Sequence, residues 1–110
     1  NSKAQAESGS FISLEGLTAP QKERLIIERG TPFASLLYKP GHIMLYVGTY
    51  RGKAVVFHNL WGIKMYVQGK EGRYVIGRSV LSTLDIGNGF PDIRSEDLLI
   101  NNVTGLTNLL

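Results

Sequence analysis

Two short runs, Ile43 to Val47 and Val55 to Leu60, carry apolar residues on both faces of an extended chain instead of a strict apolar–polar alternation. Ile43, Leu45 and Val47 share one side of an extended chain, and Met44 and Tyr46 the other. Val55 and Phe57 likewise alternate with Val56 and Leu60. Runs of this length, rich in β-branched and aromatic residues and bounded by turn residues, are read as strands; apolar character on both faces places them inside a sheet rather than at its edge.

Around this pair the chain reads as α+β. Thr18-Ala19-Pro20-Gln21 has the form of a capping box, so a helix is expected from Ala19 to Arg29, stopped by Gly30 and Pro32. After Pro40-Gly41, strands are expected at His42 to Val47 and, past a turn through Tyr50-Arg51-Gly52-Lys53, at Ala54 to Leu60, then around Lys64 to Val67, Arg73 to Ile76 and Val80 to Leu84. Residues Asn1 to Ser13, small and polar around Ser8-Gly9-Ser10, read as a surface loop or arm. Ser95 to Leu110 reads as a short helix or packed coil. At 110 residues and 43% hydrophobic the chain is expected to be one domain, 1–110, with a single modest core.

The only two histidines, His42 and His58, lie one in each of the two apolar strands. Imidazole buried there without partners costs about 1–3 kcal/mol, so each needs a hydrogen bond. If the connecting loop is Thr49 to Lys53, Gly48 faces Ala54, Met44 faces His58 and His42 faces Leu60. Both rings then sit on the same sheet face as diagonal neighbours, about 7–8 Å apart at the backbone. A slip of one residue separates them to opposite faces. Two readings stay open: a general base with a second imidazole fixing its tautomer, or two core histidines bonded to backbone carbonyls. No Asp, Glu or third histidine lies in these strands, which argues against a metal site, and no cofactor is expected.

Other features exclude more than they suggest. The net charge of +3 comes from interspersed charges such as Lys22-Glu23-Arg24, without the basic stripe and exposed aromatics of a nucleic-acid binder. Apolar runs are too short to span a membrane. Gly87-Asn88-Gly89 lacks the Lys-Ser/Thr pair of a phosphate loop and reads as a plain turn, and the sequon Asn102-Val103-Thr104 is a pattern frequent by chance. The chain begins at Asn1 rather than Met, so a preceding part is expected to have been removed by processing or by design, which leaves open whether it held a signal or anchor. Cysteine is absent.

The segment Pro40-Gly41-His42-Ile43-Met44-Leu45-Tyr46-Val47-Gly48, followed by Val56-Phe57-His58-Asn59-Leu60-Trp61-Gly62-Ile63, resembles the NlpC-type peptidoglycan endopeptidases, in particular the branch whose peptidase domain follows Src-homology-like barrel modules. Asn1-Ser2-Lys3-Ala4-Gln5 looks like the end of that branch's Arg-Asn-Ser-x-x-Gln motif. Thr31-Pro32-Phe33-Ala34-Ser35-Leu36-Leu37 and Gly77-Arg78-Ser79-Val80-Leu81-Ser82-Thr83-Leu84 fit its flanking motifs.

This resemblance implies a papain-like half-domain: a curved antiparallel sheet of about five or six strands with one short packed helix. It implies His42 as base, His58 as polar third member, and cleavage of peptidoglycan stem peptides between D-glutamate and a diamino acid. A location in the bacterial envelope, or secretion, follows from the same likeness. The family's Asp-Cys-Ser-Gly segment is not in this sequence. A thiolate is the attacking species in such chemistry, so the chain alone is expected to be inactive and to need a cysteine-bearing segment or chain as partner. Apolar Met44, Val56 and Leu60 are expected to lose cover and to promote self-association. The rival expectation is a non-catalytic wall-binding or interaction module.

Overall fold

The computed structural model describes residues 10–110, with the side chains at 60–62 and 74–76 outside the description. Strands β1 (Phe11–Ser13), β2 (Ser35–Lys39), β3 (His42–Tyr50), β4 (Lys53–Val67), β5 (Lys70–Thr83) and β6 (Gly105–Asn108) form one antiparallel sheet in the order β1-β6-β2-β3-β4-β5. Helix α1 (Ala19–Arg29) packs on one face, and a 3₁₀ turn (Ser95–Asp97) leads into the short helix α2 (Leu99–Asn102). The architecture is the expected α+β arrangement, with β3 and β4 inside the sheet.

α1 starts where its capping box directs. The Gln21 amide donates to Thr18 Oγ1 at 3.3 Å, and the Thr18 amide donates to Gln21 Oε1 at 2.9 Å, which satisfies two of the helix's orphan groups reciprocally. It ends at Gly30, where a Cβ would lie 2.6 Å from the Ile26 carbonyl oxygen and 3.0 Å from the Tyr46 ring. The helix buries Ile26 against Leu14, Leu37, Met44, Tyr46, Val56, Val103 and Leu106. Two polar ties fix it: Lys22 Nζ donates to the Val103 carbonyl at 2.7 Å, and the Ala54 amide donates to Glu23 Oε1 at 2.9 Å.

Several expectations need correction. The strands expected at Ala54 to Leu60 and Lys64 to Val67 are one element, β4, and those at Arg73 to Ile76 and Val80 to Leu84 merge into β5; an irregularity between Leu60 and Gly62 accommodates the twist of so long a hairpin. Phe11 to Ser13, expected as loop, pairs with β6 as β1, while residues 1–9 of that arm, with the Asn1 to Gln5 segment, lie outside the described residues. The tail is not all helix or coil: after α2 it returns as β6 between β1 and β2. Met44 and Val56 are fully buried on the helix-covered face instead of losing cover, and the Leu60 side chain named with them lies outside the described residues; the exposed apolar side chains Ile43, Phe57 and Leu81 belong to the opposite face. Gly87 to Gly89 is the expected turn, with the Asn88 amide donating to the Asp85 carbonyl at 2.9 Å.

The β3–β4 connection also differs. Thr49 pairs with Ala54 and Tyr50 with Lys53, so the loop is only Arg51-Gly52, both at positive φ (52° and 78°), as in a tight hairpin turn of the I′ kind. Gly48 therefore opposes Val55. Continued without interruption, that ladder would put His42 and His58 on opposite faces. A bulge intervenes: beyond it Tyr46 pairs with Val56 and Leu45 with Phe57, leaving Val47 as the extra residue. The offset of these last pairs is the one expected from sequence, with Met44 across from His58. The loop expected over Thr49 to Lys53 is thus a two-residue turn, which shifts the register by one, and the bulge shifts it back.

Candidate active site

His42 is the first residue of β3. The link from β2 is Pro40-Gly41, in which proline presets its own φ and Gly41 takes φ 74°, so Lys39 pairs directly with His42 at the end of the sheet. His58 lies mid-way along the inward face of β4 and is 3% exposed. The offset beyond the bulge brings the rings together: His42 Nε2 is 2.9 Å from His58 Nδ1, with centroids 5.0 Å apart and planes at 74°. The open reading of two histidines each bonded to backbone carbonyls is not what the side chains do.

The chain of contacts continues to a residue that sequence reasoning passed over. His58 Nε2 is 2.8 Å from Ser82 Oγ on β5, where Val56 pairs with Ser82 and His58 with Val80. Three neighbouring strands thus contribute one side chain each to a line His42–His58–Ser82. A signal for Ser82 was present: in Val80, Ser82 and Leu84 it is a polar residue at an inward position of a period-two strand, and such a residue needs a buried partner.

Burial pushes the His58 pKa down to about 4, with proximity to His42 adding to it. His42 is also lowered, first by burial and then by the Lys39 cation. Both rings are therefore neutral at neutral pH, and each carries one proton. His42 Nδ1 makes no hydrogen bond to the described residues and remains available. The His42 residue lines an open groove of about 600 Å³ together with Tyr38, Lys39, Gly41, Ile43 and Asn59. Asn59 is held by Ser79, whose Oγ donates to Asn59 Oδ1.

Chemically this is a base with an uncharged, hydrogen-bonded imidazole behind it. The arrangement suits proton transfer at Nδ1. Among the described residues no thiol lines the groove. Nor do three His, Cys, Asp or Glu side chains gather anywhere among the described residues to hold a metal ion.

No protein-family model matches the sequence, and no curated protein matches it. Among solved structures, the fold is similar to an NlpC/P60 endopeptidase from Photobacterium damselae subsp. piscicida, with TM-score 0.73 and 25% identity. The likeness covers 93% of this chain but only 27% of that one. It supports a relationship to the NlpC family and matches this chain's α+β fold to that of an NlpC/P60 endopeptidase.

Proposed function

We propose that this chain is the histidine-bearing, carboxy-terminal part of a cell-wall cysteine endopeptidase domain. The observation that carries the reading is the 2.9 Å contact between His42 Nε2 and His58 Nδ1, which leaves Nδ1 of groove-lining His42 without a hydrogen-bond partner among the described residues. The fold likeness to an NlpC/P60 endopeptidase supports the reaction class.

In this reading His42 Nδ1 takes the proton of a cysteine thiol supplied by a segment outside this sequence. The thiolate attacks the carbonyl carbon of a peptidoglycan stem-peptide bond, from D-glutamate to a diamino acid. His42 then returns the proton to the leaving amine as the C–N bond breaks, and water releases the thioester. His58 accepts the Nε2–H of His42 and holds the ring in place while it is positively charged. Lys39, beside His42, offers a cation to substrate carboxylates. The setting is the bacterial envelope or its exterior, and the parent is of the branch with Src-homology-like modules. No described helix is long and apolar enough to cross a membrane.

The test is mass spectrometry of muropeptides incubated with the chain alone and with a segment containing Asp-Cys-Ser-Gly supplied in cis or in trans. Cleavage only with the cysteine segment is expected. Tight binding to peptidoglycan without cleavage under either condition would instead favour the wall-binding module.

A further inference from the structure

His58 Nε2 and Ser82 Oγ are 2.8 Å apart, with the two residues 3% and 9% exposed. So little exposure leaves bulk water no role as a substitute partner at His58 Nε2. The line of contacts His42–His58–Ser82 can be filled with protons in two directions. In the first, His42 Nε2–H donates to His58 Nδ1 and His58 Nε2–H donates to Ser82 Oγ, which leaves His42 Nδ1 bare. In the second, the Ser82 hydroxyl donates to His58 Nε2 and His58 Nδ1–H donates to His42 Nε2. The single proton of His42 must then sit on Nδ1.

The two directions differ in what they allow. Only a bare Nδ1 can accept a proton from a thiol. Once it has done so, His42 carries hydrogens on both nitrogens, and its Nε2–H needs the lone pair of His58 Nδ1. The first direction meets both states of His42 without moving the proton of His58; the second meets neither. A serine hydroxyl can accept as well as donate, so Ser82 makes the first direction admissible. Take the hydroxyl away and the first direction strands a buried N–H, whereas the second strands only a lone pair, the milder loss.

We propose that Ser82 is a positioning residue that holds His58 in its Nε2–H tautomer and thereby keeps His42 Nδ1 bare for proton uptake. Both the direction of the proton line and its role in catalysis rest on the peptidase reading above; the tautomers themselves are read without any hydrolysis.

Nitrogen-15 NMR of the imidazole rings of this chain at neutral pH reads the tautomers directly. The wild type is expected to carry the proton on Nε2 of both rings. Ser82→Ala is expected to move it to Nδ1 of both, and Ser82→Thr, which keeps the hydroxyl, to retain the wild-type pattern. A wild type protonated at His58 Nδ1 overturns the proposal without any variant, as does a folded Ser82→Ala with unchanged tautomers. In the cysteine-complemented enzyme, Ser82→Ala should lower kcat about 10²-fold or more with KM unchanged, and Ser82→Thr should restore it. The expected tautomers with no hydrolysis by any preparation would remove the peptidase reading and leave the proton line standing. Hydrolysis undiminished by Ser82→Ala would overturn the role of Ser82 and leave the peptidase reading intact.

Discussion

The Nε2 of His42 lies 2.9 Å from Nδ1 of His58, a contact that the tight turn between their strands would forbid if the ladder ran on unbroken. One extra residue, Val47, reverses the parity of β3 before the chain reaches His42. The pairing of the two rings is thus set by a backbone irregularity five residues away from His42, and it depends on what holds that irregularity in shape.

Gly48 adjoins the bulge with φ 130°, an angle that side-chain-bearing L-residues rarely adopt, although a Cβ there would meet only Pro32 Cγ at 3.9 Å. Gly48→Ala should therefore destabilise through backbone strain rather than collision, by about 1–3 kcal/mol. Urea unfolding checks this, and a variant as stable as wild type would show that the bulge tolerates an ordinary residue.

Lys22 Nζ donates to the Val103 carbonyl inside the protein, and burial lowers the lysine's pKa. Lys22→Met keeps the apolar stem and removes the donor, leaving a carbonyl unpaired. A loss of about 1–3 kcal/mol is expected in the same unfolding assay, with an unchanged denaturant slope.

His58 gives the fold a pH dependence of definite sign. Its pKa falls from 6.5 in the unfolded chain to about 4 in the folded one. Between those values the unfolded chain binds a proton that the folded chain refuses, so stability is greatest above the upper value and declines as pH falls through the window. The full loss, reached below the lower value, is on the order of 3 kcal/mol. Thermal melts across this range should show the decline, and His58→Asn should flatten it. An equal slope in both proteins would show that His58 is not its source.

The helix and the two apolar strands were legible because local chemistry dictates them: Thr18 and Gln21 cap each other, and Ile43 to Val47 is too short and too β-branched for anything but a strand. β6 was not, because Gly105 and Asn108 are poor strand formers, and what makes the segment a strand is pairing along its two edges with β1 and β2, partners distant in sequence. The turn at Tyr50-Arg51-Gly52-Lys53 was legible from its glycine, but its two-residue form was not, because an arginine takes the positive φ at which Asn or Asp is the usual signal. The histidine pair was found with the right offset through the wrong loop. Ser82 was missed because its importance is visible only once His58 is seen to present Nε2 to β5.

The central claim is that His42 is the base of a cysteine peptidase site, and the comparison of kcat/KM on muropeptides between wild type and His42→Ala in the cysteine-complemented protein tests it most directly. A loss of about 10²–10⁴-fold or greater is expected, with His58→Ala impaired to a smaller extent. Turnover undiminished by His42→Ala would contradict the account.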